Sequence, residues 1–339
     1  MLTIKEISEQ LGITPNALRF YEKKGLLAPK RTDNNYRIYS TEDLTRLEML
    51  LLYRKMGFSI DEIRTLLAQN QNRLEQFVTQ YTALNYHIHS MIRIRETLGD
   101  CIEKMLNNEM PEDEMLEQLS RTANIVALAG NWTDQWNFDT LASNYDTFIR
   151  ESADGLDFYK NYDSVLQKTA SQVHGGIVVE IGIGTGNLAK KILDSNNQVV
   201  QYIGIDQSIN MLKEAKKKCP TVLLRKGDFL NLPLEANSCD VIVSSYAFHH
   251  CNSREKELAI AEMDRVLKQH ATIVITDLMF ENQAARDCFQ ATCNEKERLD
   301  LEDEYFGNVN DVMRILTALG YQCRAEQIDE LIWMLTANK

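Results

Sequence analysis

Apolar positions in the first 70 residues come in short helical runs punctuated by glycines. Thr3–Leu11 places Ile4, Ile7 and Leu11 on one side of a helix, and Gly12 ends it. Thr14 then offers a cap, with Pro15 at the first helical position, for a second helix that runs to about Lys23 before Gly25. The tract from Pro29 to Tyr39 is basic and turn-rich around Asp33-Asn34-Asn35, and reads as a hairpin or wing. Ser40 or Thr41 caps a third helix, to about Met56, and Ser59 caps a last one around Ile60 to Ala68. Two short helices about a tight turn suit a helix-turn-helix, and equally a small helical bundle.

The period then changes. Leu74, Phe77, Tyr81, Leu84, Ile88, Met91, Arg95, Leu98, Ile102 and Met105 recur at spacings of three and four, and only Arg95 is polar. This heptad seam predicts one long helix over 71–110 that pairs with a second copy through residues 74–105, or packs inside its own chain. His87 and His89 flank the seam and read as satisfied or exposed side chains rather than ligands. Residues 111–131 read as an acidic linker or further helix.

From 132 to 339 strands and helices alternate. Strands are expected at Ile177–Ile181, Gln201–Ile205, Thr221–Arg225, Val241–Ser244 and Ala271–Thr276. Helices are expected at Trp132 to Arg150 (one or two), Gly155 to Ala170, Ser208–Lys218, Arg254–Lys268 and Val309–Leu319. A hairpin of Gln322–Gln327 and Leu331–Ala337 closes the chain. The rhythm predicts a multidomain protein: an all-α winged helix-turn-helix head (1–70), a dimerisation helix (71–110), a linker (111–131) and an α/β Rossmann-like body (132–339). The body would hold a seven-stranded, mostly parallel sheet.

Composition narrows the picture. The 339-residue chain is 44% hydrophobic, enough for real cores, and has no stretch of the roughly 18 apolar residues that a membrane span requires. Its start, MLTIKEISEQ, lacks the features of a signal peptide. Seven scattered cysteines form no CxxC, so neither a disulfide framework nor a structural metal is expected, and a cytoplasmic setting fits. The net charge is −12, but residues 1–70 hold 11 Lys/Arg against 9 Asp/Glu while the remainder holds 26 against 40. A mildly basic head on an acidic body permits nucleic-acid binding at one end only.

The chemistry concentrates in VVEIGIGTGNL, Val178 to Leu188. A strand there meets a turn with Gly182, Gly184 and Gly186, and a helix follows. Such a turn lets a cofactor approach the backbone closely. Asp206 ends the next strand, where a carboxylate can take both ribose hydroxyls or merely cap the helix that follows. The glycines alone would also serve a nicotinamide dinucleotide.

The head resembles the DNA-binding domain of the mercury-resistance regulator (MerR) family. The matching pieces are Ile7-Ser8, TPNALRFYEKKGLL from Thr14 to Leu27, Asn35-Tyr36-Arg37-Ile38-Tyr39, Asp43-Leu44 and MGFSIDEI from Met56 to Ile63. The resemblance implies DNA contacts from Thr14, Asn16, Arg19 and Tyr21 on the recognition helix, and from Lys30, Arg37 and Tyr39 on the wing. It also implies an antiparallel coiled-coil homodimer on near-palindromic promoter DNA. The family's metal sensors carry cysteine ligands beyond this helix, whereas this chain offers only Cys101, so no metal is expected.

The body resembles class I S-adenosyl-L-methionine (SAM) methyltransferases. Glu180 precedes the turn, and Gly227-Asp228-Phe229 follows the third strand. It is similar in particular to a small bacillary group of uncharacterised methyltransferases. That likeness rests on Ala142-x-x-Tyr145-Asp146, VVEIGIGTGNL, GDF, SSYAFHH from Ser244 to His250, and Leu331-Ile332-Trp333-Met334. The resemblance implies a cofactor site of Tyr145, Glu180, Gly182, Gly184, Gly186, Asp206, Gln207, Asp228, Phe229 and Ser245. Tyr246, His249 and His250 are the catalytic candidates, one histidine acting as base, or else as caps and lining. The run Ser245-Tyr246-Ala247-Phe248 lacks the Pro-Pro pair of DNA amino-methyltransferases, so a small-molecule acceptor is expected. Three readings remain. The chain is a bacterial, nucleoid-associated regulator that also methylates a small molecule and releases S-adenosyl-L-homocysteine (SAH), a catalytically silent sensor of SAM or SAH, or an enzyme that its head only localises or dimerises.

Overall fold

The computed structural model describes residues 2–32, 34–55, 57–68, 73–107, 111, 113–117, 119–120, 122, 138–150, 156–195 and 198–339. It divides into two compact units, Met1–Tyr81 and Thr82–Lys339. Most of the expected linker 111–131, with Trp132 and Gly155, lies outside the described residues. Among the described residues no helix is long and apolar enough to cross a membrane.

The head is not all-α. Strands β1 (Leu2–Thr3), β2 (Lys30–Arg31) and β3 (Arg37–Tyr39) form a small antiparallel sheet in the order β1-β3-β2. Two-residue strands carry no readable period, which is why β1 escaped the pattern. A capping box between Thr3 and Glu6 starts helix Ile4–Leu11, and Gly12, with φ of 64°, ends it. Thr14 caps helix Pro15–Lys23 by accepting from the Ala17 amide. Ser40 rather than Thr41 caps helix Thr41–Lys55: its hydroxyl accepts from Asp43 N–H, and the Asp43 carboxylate accepts from Ser40 N–H. Ile7, Leu18, Leu27, Tyr39 and Leu47 make the core. Arg46 ties the last two helices to the turn after the second, donating to the Leu26 carbonyl at 2.7 Å and the Leu67 carbonyl at 2.8 Å.

Helix Arg73–Leu106 is continuous through Gly99, roughly 50 Å long at the usual rise. Tyr81, Ile88, Met91, Leu98, Ile102 and Met105 of the seam are exposed, whereas His89 and Cys101 on another side are buried. From Tyr81 onward these seam positions are thus largely exposed among the described residues.

The body is built on one twisted sheet with strands β4 (Gly176–Ile181), β5 (Val199–Asp206), β6 (Leu223–Lys226), β7 (Cys239–Ser245), β8 (Leu267–Phe280), β9 (Gly307–Asn308), β10 (Gln322–Gln327) and β11 (Ile332–Asn338). The order is β10-β11-β8-β7-β4-β5-β6, and β9 pairs with the end of β8. The sheet thus has eight strands rather than the expected seven, because Gly307–Asn308 adds a short parallel strand. The β4, β5, β6, β7 and β8 pairings are parallel, while β11 pairs antiparallel with both β8 and β10. Val179, Ile181, Ile242 and Ile273 face one buried cluster, and Val178, Val241, Val243 and Val274 the other. This alternation buries both faces of the sheet. Helix Tyr162–Ala170 begins later than expected, after a turn-rich stretch at 156–161. Two helices, Gln283–Thr292 and Glu295–Asp303, were not anticipated, although Asn282 and Asn294 cap them.

Arg46→Met removes two charge-assisted hydrogen bonds to carbonyls. It should destabilise the head by about 2 kcal/mol, measured as a lower midpoint of the head's own thermal transition with the body's unchanged.

Candidate functional site

The site forms outside the carboxyl ends of β4, β5 and β7. At the end of β4 the Gly182 and Ile183 amides both donate to the Ile205 carbonyl, at 2.8 and 3.0 Å, locking the turn onto β5. Gly182 has φ of 74°, and a side chain there would bring a Cβ within 2.3 Å of the Ala247 Cβ. At Gly184, φ is 53° and a Cβ would meet nothing within 4 Å, so the backbone lies open on the pocket. Asp206 closes the frame: one carboxylate oxygen accepts from Gly184 N–H at 2.8 Å and the other from Ser208 N–H at 2.9 Å.

These groups line a cleft that encloses roughly 560 Å³ counted out to its mouth, open solvent included. Of the anticipated residues, Tyr145, Gly182, Gly184, Asp206, Gln207, Asp228, Phe229, Tyr246 and His250 are on its wall. Phe138, Ile181, Met211, Gly227 and Ala247 join them and were not anticipated. Four candidates are not on the wall: Glu180, Gly186, Ser245 and His249. Glu180 is buried behind the turn, where its carboxyl accepts from the Tyr202 hydroxyl at 2.7 Å. Gly186 faces Ala215 and Cys219 of the following helix, and Ser245 ends β7 in register with Thr276.

The segment 138–150 is fastened over the glycine turn by carboxylates. Asp146 accepts from Thr185 Oγ1 at 2.6 Å, Asn187 Nδ2 at 2.9 Å and Lys218 Nζ at 2.6 Å. Asp139 accepts from the Ser208 hydroxyl at 2.6 Å. Tyr145 meets Tyr159 through a hydroxyl contact, and Tyr159 and Tyr162 pack on Tyr246 with ring centroids 5.3 and 5.2 Å away. Burial pushes the Tyr145 and Tyr246 hydroxyls well above their ordinary pKa, so both are neutral donors. Tyr246 also has φ of 50°, and its buried hydroxyl has no hydrogen-bond partner among the described residues. Backbone strain in a bulky residue with an unsatisfied polar tip is a mark of a functional position.

Asp228 is held by two amides, Leu230 N–H at 2.8 Å and Asn231 N–H at 3.1 Å. Burial outweighs them and pushes its pKa up to about 7. Burial likewise raises Glu180 to about 8, against the Tyr202 hydrogen bond.

The two histidines part company. His249 is buried with Nδ1 2.5 Å from Asp277 Oδ1. Burial pulls its pKa down, but the Asp277 charge and hydrogen bond outweigh that and raise it. It pairs with Asp277 and is not on the pocket wall. His250 is on the wall, but burial and the neighbouring His249 lower it to about 4, so it is neutral at pH 7 and a weak base. Glu304 lies 3.5 Å from His250 Nδ1 and 3.7 Å from His249 Nε2. These three side chains bring ligand atoms within 4.8 Å of one another. The group already has a cation in Lys256, which donates to the Tyr305 and Cys251 carbonyls and whose charge His249 feels. It reads as a self-balanced ion network.

In the head, Thr14, Asn16, Arg19 and Lys30 are exposed, and Arg19 donates to Asn16 Oδ1 at 2.8 Å. Tyr21 is half-buried. Arg37 donates to Glu22 at 2.6 Å and Arg31 to the same carboxylate at 3.1 Å. Tyr39 is fully buried in the head core, where its ring packs. Exposed Tyr36 and Arg31, beside it on the hairpin, were not singled out in the sequence.

Comparison with known proteins agrees with this division. Residues 2–70 match the family described as MerR HTH family regulatory protein, and residues 178–270 match a methyltransferase domain. An uncharacterized methyltransferase of Alkaliphilus oremlandii is 35% identical over 212 residues, 60% of this chain and 95% of that protein. One from Anoxybacillus flavithermus is 32% identical over 207 residues, 60% of this chain and 96% of that protein. The chain belongs to this methyltransferase family. Its methyltransferase body follows a MerR-type helix-turn-helix domain at the N-terminus. A crystal structure of a SAM-dependent methyltransferase from Thermotoga maritima covers 60% of the chain and 97% of its own, at 21% identity and a TM-score of 0.44.

The raised Glu180 pKa makes the body's stability fall with pH. Its contribution is full below the unfolded value of about 4.5 and is lost as pH rises through about 8. Glu180→Gln should therefore flatten the decline of the body's unfolding temperature between pH 5 and pH 8. Part of the slope will persist because Asp228 titrates in the same direction.

Proposed function

We propose that the protein is a homodimeric, promoter-binding regulator whose body binds SAM and methylates a small molecule. The observation that carries the cofactor reading is the joint placement of Gly184, Asp206 and Asp228 on one pocket wall. An open glycine turn, a carboxylate at the end of β5 and a half-buried carboxylate after β6 suit a backbone approach, a ribose diol and an adenine amino group in turn. Phe229 would cover the adenine ring and Tyr145 would close the site from the 138–150 segment, with Gln207 beside the ribose. When bound, SAM supplies an activated methyl group on a sulfonium, and SAH is the product.

The chain's own part is then binding, orientation and exclusion of water. The Tyr246 hydroxyl, without a hydrogen-bond partner among the described residues, and the neutral His250 imidazole are polar groups on the wall that would orient an acceptor. Neither is a strong base at neutral pH. The acceptor is therefore read as a small molecule that brings its own nucleophile, such as a thiolate or a neutral amine. The same observation favours the second reading, a catalytically silent sensor of SAM or SAH that alters DNA binding. Release of labelled SAH from a candidate acceptor, against tight SAM binding without turnover, separates the two.

For the head, the winged helix-turn-helix reading rests on the hairpin Lys30 to Tyr39 beside helix Pro15–Lys23. Arg19 and Lys30 are exposed donors for phosphates or base edges, and Arg37 would exchange Glu22 for DNA. Exposed Ile88, Met91, Leu98 and Ile102 support pairing of two long helices, which would set two heads on near-palindromic promoter DNA in a bacterial cytoplasm.

Asp206→Ala should weaken SAM binding at least about tenfold by titration calorimetry, since a charge-assisted pair of hydrogen bonds is lost. An unchanged isotherm would overturn the cofactor reading. Ile88→Lys should convert a dimer into a monomer at micromolar concentration in sedimentation equilibrium. A dimer that survives it places the interface elsewhere.

A further inference from the structure

The loop after β6 carries Asp228 and Phe229 on its pocket side. Its other side is held by charged groups from two helices. Arg93, on the long helix Arg73–Leu106, donates through Nη2 to the Leu230 carbonyl at 3.2 Å and also pairs with Glu262. Glu262, on helix Ser253–Val266, accepts from Leu232 N–H at 2.9 Å. Arg265 donates to the Leu232 carbonyl at 3.3 Å and the Leu234 carbonyl at 3.0 Å. On the pocket side, the Leu230 amide donates to Asp228 at 2.8 Å. The two polar groups of Leu230 thus face opposite ways, its amide to the pocket carboxylate and its carbonyl to Arg93.

We propose that Arg93 is a positioning residue for the cofactor site, and that through it cofactor binding and the long helix are coupled. The inference rests on the SAM-site reading given above and deepens it. Glu262 is only 1% exposed, and Arg265 already neutralises it with two hydrogen bonds of 2.8 Å. The second guanidinium is therefore not required to keep a buried carboxylate paired. What Arg93 adds is the grip on the Leu230 carbonyl, delivered from the long helix Arg73–Leu106. His89, one turn earlier on the same helix face, lies 3.4 Å from Arg265 Nη2. Ile88, Met91 and Leu98 of the same helix are exposed. One helix thus grips the adenine-side loop and also carries the unpartnered seam. A ligand that orders Asp228 and the loop must stabilise the Arg93 contact, and by linkage the helix position that makes it must favour the ligand.

The test uses the full-length protein and SAH, which binds without turnover. Titration calorimetry on wild type, Arg93→Ala, Arg93→Lys and Asp228→Ala is paired with amide hydrogen exchange over residues 82–106, with and without SAH. Arg93→Ala should weaken SAH about tenfold, the scale of one charge-assisted hydrogen bond, and abolish the protection that SAH adds to the helix. Arg93→Lys should restore part of both. Because Glu262 keeps Arg265, the alanine variant should remain folded, checked by its thermal midpoint. A variant with a lowered midpoint but wild-type SAH affinity would assign Arg93 to packing alone and overturn the proposal. Weakened binding by Asp228→Ala with wild-type binding and helix protection in Arg93→Ala would sink the coupling and leave the cofactor site standing. Wild-type affinity in Asp228→Ala would remove the cofactor-site reading, and the inference with it.

Discussion

The functional edge of the body depends on one buried carboxylate. Asp277, near the end of β8, accepts from the Ala247, Phe248 and Leu278 amides and faces His249 Nδ1. These bonds fold the chain back immediately after β7. Tyr246 is thereby held in a left-handed conformation on the pocket wall, and Ala247 is pressed against the position where Gly182 has no side chain. Burial raises the cost of the Asp277 charge, and the His249 charge repays it, so its pKa is lowered rather than raised. Removing either partner would leave the other charge buried and uncompensated.

A related economy runs through the rest of the site. Asp206 binds Gly184 and Ser208, and Asp228 binds Leu230 and Asn231, before any ligand arrives. Each carboxylate shapes its own loop. Such preorganisation lowers the ordering cost of binding. It also means that the loops report on their backs as well as their faces, which is how Leu230 comes to touch Arg93.

Much of this was legible from local pattern. The glycine turn, Asp206 and the GDF tract are short signals whose geometry follows from strand-turn-helix chemistry, and they meet on one wall as expected. The 74–105 stripe was legible because a helix displays every third or fourth residue on one side. What was not legible also has local causes. Tyr39 and Glu180 are buried, and burial depends on what packs from elsewhere. His249 and His250 are adjacent and look alike in sequence. Asp277 raises one, while burial lowers the other. Glu304 had no motif to mark it, and the helix that brings it to the histidines was not anticipated.

By itself the sequence determined the two-part plan, the helical stripe, the parallel α/β order and the glycine turn, because each arises from interactions within a few residues or from a fixed period. Only the tertiary structure decided which carboxylates are lining and which are buried props, that Tyr246 is strained and its hydroxyl unsatisfied, and that Arg93 meets Leu230 and Glu262. Those contacts join residues far apart in the chain, and no local periodicity encodes a partner across that distance. Their strength comes from desolvation, which exists only once the fold has closed around them.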